Sequence, residues 1–265
     1  MKRFAKHPYI VFIITLLFMC VNSRANVYGD ELNIFDNSLK NQNSTECPKE
    51  VFLTFDDGPS VNNTRKILKI LNDNNIKATF FVVGLKCEEN PIILKELSDN
   101  GMSIGVHTYS HNYKKIYGSL ESYIDDYEEC KNTIQKITNK EPIHYIRFPG
   151  GSNNPMARKA TLDSIKKTLN DKGIKYVDWN VCSGDADAHE VPVNKIKRNV
   201  KNQCQNKKIA VILMHDTYYK HFTVESLPEI ITYLKNEGFV FRTFGDLSEA
   251  EEKEMMNIEI INKKQ

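Results

Sequence analysis

The sequence has no strong excess of charge of either sign, since its 265 residues carry a formal net charge of +2 at neutral pH. Residues 1–25 contain four basic residues and no acidic one, so their removal would change the net charge to −2. A protein with so balanced a charge is not a general polyanion binder. We therefore expect no nucleic-acid partner.

Long hydrophobic runs are also scarce. The one long run, Tyr9 to Val21, has 13 residues, whereas a membrane-spanning helix needs about 20. Three basic residues precede the run and Ser23-Arg24-Ala25 offers a small-x-small cleavage site, which is the outline of an export signal. We expect residues 1–25 to be a signal peptide or, if they are retained, an N-terminal anchor. The mature chain would then be secreted, or tethered to the membrane on the outside, at the cell wall.

Cysteine is scarce and has no close paired spacing. One of the six cysteines, Cys20, lies in the predicted export signal. The odd number that remains indicates neither a disulfide framework nor a zinc ribbon. We interpret most of them as small buried apolar residues, and because export permits disulfides, one or two bridges remain an open alternative. These cysteines are Cys47, Cys87, Cys130, Cys182 and Cys204.

The chain has no visible internal repeat, and its organisation is that of one catalytic domain with two flanking segments. Residues 26–46 are polar and rich in asparagine, which indicates a linker or arm, and residues 248–265 form a charged C-terminal tail, expected to be a solvated helix or a frayed end. Between them lie short runs rich in β-branched and aromatic residues, each typical of a strand. The seven runs are Val51 to Phe55, Ala78 to Val83, Met102 to Val106, His144 to Phe148, Lys175 to Val181, Ile209 to Met214 and Phe239 to Phe244.

Amphipathic helical spacing occurs between several of these runs, in segments 64–71, 91–97, 120–137 and 223–237. Alternating strands and helices predict an α/β domain with a parallel sheet of about seven strands. The periodicity alone fits either a barrel or a doubly wound open sheet.

Polar side chains follow five of the predicted strands at the point where each strand ends. In both architectures the carboxyl ends of parallel strands meet at one edge, so we expect these side chains to converge. They are Asp56-Asp57, His107 with His111, Arg147, Ser183 to Asp187, and His215-Asp216.

The stretch VFLTFDDGPS places two carboxylates side by side where Gly58 and Pro59 turn the chain. Asp-Gly and Gly-Pro are ordinary turn sequences, and the spacing H-x-x-x-H is more often two surface histidines. One metal site would explain the whole group, because two histidines and one carboxylate form a known ligand set for zinc and other divalent ions. One aspartate would bind the cation while the other stays free beside it.

The segments TFDDGPS, HTYSH, RFPGG and LMHD, in this order and at strand ends, resemble the polysaccharide deacetylase family, the NodB-homology domain of carbohydrate esterase family 4. The resemblance covers about residues 49–247, within a domain that we place at residues 47–247. It implies a distorted (β/α) barrel and a divalent metal, usually zinc but cobalt or nickel in some members. It also implies removal of N- or O-acetyl groups from an acetylated polysaccharide.

The resemblance assigns roles to individual residues. Asp56 matches the general base, Arg147 the arginine that pairs with it, and His215 the general acid. The metal ligands and the acetyl-pocket residue are carried over as Asp57, His107, His111 and Leu213.

Two positions depart from the family's pattern. Gly150 stands where many members have tyrosine, which removes a side chain but keeps the backbone N–H that could stabilise an oxyanion. Asp185 follows Trp179 at the family's spacing, but Ala186 replaces a second tryptophan. An imidazole that donates a proton is usually fixed by a carboxylate, so we expect Asp185 to contact the general acid. The other candidates for this carboxylate are Asp178, which we expect below the rim, and Asp187.

We therefore expect a monomeric, metal-dependent hydrolase that removes N-acetyl groups from cell-wall glycan, with peptidoglycan N-acetylglucosamine as the substrate. Two further alternatives within enzymes are an O-acetyl xylan esterase and a chitin deacetylase. An alternative of another class is a catalytically silent glycan-binding wall protein that retains the barrel. Against it stands the presence of the base, the ligands, the arginine and the acid, which binding alone would not require.

Overall fold

Eight parallel strands curl into an incomplete barrel in the computed structural model, which describes residues 48–263. The predicted export signal and polar arm therefore lie outside the described residues. The strands are β1 (Lys49–Asp56), β2 (Thr79–Val82), β3 (Ser103–Val106), β4 (Tyr145–Ile146), β5 (Lys175–Tyr176), β6 (Val181–Cys182), β7 (Ile209–His215) and β8 (Phe239–Arg242).

The sheet order is β5-β4-β3-β2-β1-β7-β6, and β8 pairs with β1. The strands at the two ends of this order, β5 and β6, are separated in sequence by residues 177–180 only. The sheet must therefore curl until its ends are nearly adjacent, and the predicted distorted barrel is confirmed. The central strand β1 pairs with β8 along Lys49–Phe52 and with β2 along Thr54–Asp56.

The prediction of one strand from Lys175 to Val181 was wrong, because the chain crosses there from one end of the sheet to the other. On the side facing β7, the side chain of Asn180 replaces part of the strand-to-strand hydrogen bonding that is missing from this segment. Its side-chain oxygen accepts the backbone N–H of Val211 at 2.9 Å, and its amide donates to the carbonyl of Ile209 at 2.9 Å. The break yields eight strands where seven runs were visible.

Helices surround the outside of the barrel. Four of them lie where the amphipathic spacing predicted, and in the first of these Thr64, Ile67, Leu68 and Leu71 are the buried residues. The helices are α1 (Thr64–Asp73), α2 (Gly84–Glu89), α3 (Pro91–Asp99), α4 (Tyr113–Ile116), α5 (Leu120–Thr138), α6 (Lys159–Asp171), α7 (Val193–Cys204), α8 (His221–Asn236) and α9 (Glu249–Asn257). None of the described helices is long and apolar enough to cross a membrane.

Side chains of β1 alternate between two cores, as the period of a strand requires. Val51, Leu53 and Phe55 belong to the larger core between the sheet and the helices, whereas Phe52 belongs to a second cluster inside the barrel. Asp56 has the same parity as Phe52, so it lies on the inner face at the carboxyl end of the strand. Apolar side chains thus occupy the lower interior and polar ones the upper rim.

The C-terminal segment differs from the expected solvated or frayed tail. Ser248 and Glu251 form a capping box that starts α9, and the chain beyond the helix returns to form a bridge between Val177 and Ile261. Met255 and Ile261 are fully buried in the inner cluster. The tail therefore contributes to the floor of the barrel rather than lying in solvent.

The four cysteines in the described part of the chain are free. Cys87, Cys130 and Cys204 are buried, as expected for small apolar residues, and Cys182 is partly exposed. No disulfide links residues within 48–263, and Cys47 lies outside that range.

The packing of the tail predicts a large difference between two adjacent methionines. Met255→Ala should destabilise the fold by about 2–5 kcal/mol, because it leaves a cavity in the inner cluster. Met256, 40% exposed, provides the matched control, and Met256→Ala should change stability by no more than about 0.5 kcal/mol. Denaturant unfolding of both variants measures the difference, and equal stabilities would show that the tail does not stabilise the inner cluster.

Candidate active site

The predicted site residues lie together at one rim of the barrel, because most of them stand at or just after the carboxyl ends of parallel strands. Asp56 ends β1, His107 follows β3, Arg147 follows β4 and His215 ends β7. Asp185 lies in the loop after β6. The expected convergence of the five polar segments is therefore observed.

Arg147 holds Asp56 in place. The guanidinium is fully buried, and its Nη1 donates to Asp56 Oδ1 at 3.0 Å and to Thr54 Oγ1 at 2.6 Å. Its other nitrogens donate to the backbone carbonyls of Val177 and Asp178. A guanidinium is always charged, so it forms a charge-assisted hydrogen bond that fixes the orientation of Asp56.

Asp57 turns toward two imidazoles. Its Oδ1 lies 3.2 Å from His111 Nε2 and 3.4 Å from His107 Nε2. Burial by itself raises the pKa of Asp57, but the hydrogen bond from His107 and the charges of the nearby histidines outweigh burial and hold that pKa well below its usual range. Asp57 is therefore ready to act as an anionic ligand.

The three predicted ligands fit a divalent ion. One ligand atom from each of Asp57, His107 and His111 lies within 4.8 Å of the others. His107 Nδ1 lies 2.8 Å from the carbonyl oxygen of Arg147, which can only accept, so Nδ1 donates to it and Nε2, the nitrogen that faces Asp57, is the one that would bind a metal after losing its proton. Asp56 Oδ2 is 4.0 Å from His107 Nε2, while Arg147 holds the other oxygen, Oδ1, so Asp56 lies beside this set.

The turn after β1 has a strained and tightly packed backbone. Asp57 has a φ of 75°, a left-handed conformation that is uncommon outside glycine. A side chain at Gly58 would overlap the carboxylate of Asp216, so only glycine allows the two segments to approach. Such a conformation persists only where neighbouring contacts hold it.

His215 has the carboxylate neighbour that we expected. Its Nδ1 lies 2.8 Å from Asp185 Oδ1, while Asp185 Oδ2 accepts the backbone N–H of His215 and the hydroxyl of Thr223, each at 2.8 Å. Burial lowers the pKa of His215, but the hydrogen bond and charge of Asp185, with smaller contributions from Asp57 and Asp56, raise it on balance to about 9. The imidazole is therefore protonated at neutral pH, with Nε2 free to donate.

The other two candidate aspartates have different partners. Asp187 pairs with Lys195 at 2.8 Å, on the surface. Asp178 accepts the backbone N–H of Ser152 at 2.9 Å and its hydroxyl at 2.5 Å. The expectation that Asp178 lies below the rim was wrong, because its carboxylate reaches up to the turn that carries Gly150.

That turn forms one wall of a cavity of about 590 Å³ above the ligands. Gly150 and Gly151 have φ angles of +80° and +85°, which glycine adopts without strain. The carbonyl of Pro149 accepts from Tyr117 and Asn154, so the turn is held from both sides. The cavity is lined by Asp57, His107, His111, Tyr113, Gly150, Trp179, Ala186, Ala188, His189, Leu213, His215, Tyr219 and Lys220.

Sequence reasoning missed several residues of the site. Thr54, two residues before Asp56 on the same face of β1, appears in the sequence only as part of an apolar run. Lys220 Nζ donates to the carbonyls of Asp185 and Ala188 and so ties down the loop that orients His215. Burial raises the pKa of Asp216, helped by the charges of Asp57 and Asp56, to about 7. Asp216 was among the residues expected at this rim, beside His215, but no role was predicted for it.

Comparison with known proteins identifies the family. A family model described as polysaccharide deacetylase matches residues 43–177. The peptidoglycan-N-acetylglucosamine deacetylase of Bacillus cereus is 31% identical over 204 residues, which are 76% of this chain and 71% of that protein. The bifunctional xylanase/deacetylase of Pseudobutyrivibrio xylanivorans is 30% identical over 223 residues, 83% of this chain and 33% of that protein.

A solved structure supports the same family assignment. The crystal structure of the catalytic domain of peptidoglycan N-acetylglucosamine deacetylase from Eubacterium rectale matches with a TM-score of 0.69 and 32% identity, covering 78% of this chain and 91% of that one. The strand-end motifs, the barrel and these relatives lead to one conclusion: the chain belongs to the polysaccharide deacetylase family, carbohydrate esterase family 4.

Proposed function

We propose that this chain is a metal-dependent deacetylase that removes N-acetyl groups from cell-wall glycan, with peptidoglycan N-acetylglucosamine as its substrate. The observation that carries the proposal is the completeness of the site. A base held by an arginine, a three-residue ligand set and a protonated histidine fixed by a carboxylate all line or adjoin one cavity. Glycan binding alone requires none of these pairings.

The residues divide the reaction between them. Asp56, held in position by Arg147, accepts the proton of the attacking water, and the backbone N–H of Gly150 can donate to the oxyanion that develops on the amide carbonyl. Leu213, 7% exposed, offers an apolar contact for the methyl of the acetyl group. His215 donates a proton to the departing amine, which is a poor leaving group while unprotonated.

A divalent cation would be held by Asp57, His107 and His111. Two imidazoles and one carboxylate suit zinc, and also cobalt or nickel, better than magnesium, which prefers oxygen ligands. When bound, such an ion supplies Lewis-acid activation of water and of the substrate carbonyl. We assign zinc as the native metal.

The relatives and the cavity support the choice of substrate. Two of the proteins compared above are named for peptidoglycan N-acetylglucosamine. The cavity of about 590 Å³ is far larger than an acetyl group needs, and falls within the roughly 300–1,000 Å³ of sites for drug-sized ligands. The export signal at residues 1–25 would place the enzyme at the cell wall, secreted or tethered, where we expect it to act as a monomer.

An O-acetyl xylan esterase is the second candidate, favoured by the relative named as a bifunctional xylanase/deacetylase. A chitin deacetylase is a further alternative. The same base, ligands and acid would serve an ester or a different glycan. The distinction rests on which acetylated polymer yields acetate fastest.

Acetate release tests the proposal directly. The zinc-loaded full chain should release acetate from peptidoglycan faster than from chitin oligomers or acetylated xylan, and chelation should abolish the release until zinc or cobalt is returned. Elemental analysis should accompany each assay. Full activity in metal-free protein would refute the mechanism, and faster release from xylan would favour the esterase. A metal-loaded protein that binds glycan but releases no acetate would be the silent wall protein.

The pairing of His215 with Asp185 predicts a shift in pH dependence. A general acid works only while protonated, so activity falls as pH rises through the pKa of His215. Asp185→Asn removes the charge that raises this pKa, so the alkaline limb of the profile of kcat against pH should move to lower pH by about 1–3 units. Asp187→Asn, a loss of equal charge on the same loop, should leave the limb in place. An unchanged limb in folded, metal-loaded Asp185→Asn would show that His215 is not the acid or that Asp185 does not set its pKa.

A further inference from the structure

The segment between the two histidine ligands is strained. Thr108 has a φ of 69° and His111 a φ of 50°, both in the left-handed region that side chains other than glycine rarely adopt. Each such residue is strained and stays in place only when its surroundings hold it. The positions of the imidazoles that face Asp57 therefore depend on what holds this loop.

Helix α2 holds one side of the loop. The backbone N–H of Gly84 donates to the carbonyl of Thr108 at 3.1 Å, and that of Leu85 donates to the carbonyl of Tyr109 at 3.0 Å. The first N–H groups of a helix have no partner within it, so they are available for this contact. A side chain at Gly84 would overlap the ring of Tyr109, which explains the glycine at this close approach.

Asp126 holds the other side. This residue lies on α5 and is fully buried, and its Oδ1 accepts the backbone N–H groups of Tyr109 at 2.6 Å and Ser110 at 3.0 Å. Lys115 Nζ lies 3.0 Å from Oδ2 and balances the charge. Hydrogen bonds from peptide N–H groups to a buried carboxylate are strong, and a carboxylate is costly to bury without them. The loop is thus fixed through its carbonyls by α2 and through its N–H groups by Asp126.

We propose that Asp126 is a positioning residue for the metal ligands. It does not line the cavity, and it acts by keeping residues 108–111 in the conformation that directs His107 and His111 toward Asp57. This inference rests on the metal site of the proposed function. A residue that orients ligands from outside the coordination set should affect metal affinity more than the chemical step.

The test compares two adjacent aspartates on the same helix. Zinc affinity is measured by competition with a chelator for the full chain, Asp126→Asn and Asp125→Asn. Asp125 is exposed, so its variant removes the same charge one residue away without touching the loop. We expect zinc affinity to fall about 10–100-fold in Asp126→Asn, the usual effect of losing an outer partner of a ligand, and to stay nearly unchanged in Asp125→Asn. At saturating zinc, Asp126→Asn should regain most of its kcat.

The outcomes separate this inference from the deacetylase proposal. Equal zinc affinity in all three proteins would overturn the inference and leave the proposed activity intact. Asp126-dependent zinc binding by a chain that releases no acetate would support the inference and refute the activity. If Asp126→Asn does not fold, amide hydrogen exchange in the unaltered, metal-free chain decides. The Tyr109 and Ser110 amides should then be protected, and rapid exchange at both would overturn the inference.

Discussion

Asp56 and Asp57 are adjacent carboxylates at the end of a buried strand, and two charges so close together repel each other unless each is compensated. The structure compensates them differently. Asp56 turns inward to the buried guanidinium of Arg147, while Asp57, through its left-handed backbone, turns outward to His107 and His111. Their different partners suit Asp56 to the role of base and Asp57 to the role of metal ligand that we propose, although the two have the same chemistry and nearly the same position.

The barrel supplies the rigidity that this separation needs. Arg147 can reach Asp56 only because β4 and β1 lie on the same curled sheet and both direct alternate side chains inward. Below the charged rim, the interior is filled by apolar side chains, and Met255 and Ile261 from the C-terminal segment contribute to its floor. The packed apolar interior below Arg147 lowers the local dielectric constant and so strengthens the ion pair with Asp56.

Much of this arrangement could be predicted from the sequence because it follows from local pattern. The strands were visible as apolar runs, and the parallel topology then brought their polar ends to one rim. The contact of His215 with Asp185 followed from the same logic, since both stand at the level of the rim.

Features that depend on long-range packing could not be predicted in this way. The run from Lys175 to Val181 contains two poor strand formers, Asp178 and Asn180, but the point at which it divides depends on the curl of the sheet. Helices α6 and α7 were missed although their buried residues keep helical spacing, because each apolar stripe has only three apolar residues and the buried Lys166 occupies a further position on that of α6. The contacts of Asp178 with Ser152 and of Asp126 with Tyr109 join segments whose spacing in sequence carries no motif.

The most direct test of the account is the metal content and activity of two variants, Asp56→Asn and Asp57→Asn. Asp56→Asn should bind nearly one equivalent of zinc while acetate release falls by a factor on the order of 10² or more, as expected for loss of a general base. Asp57→Asn should lose most of its zinc affinity. If both folded variants lose zinc alike, or if Asp57→Asn binds zinc as tightly as the unaltered chain, the two carboxylates do not divide the work as the structure indicates.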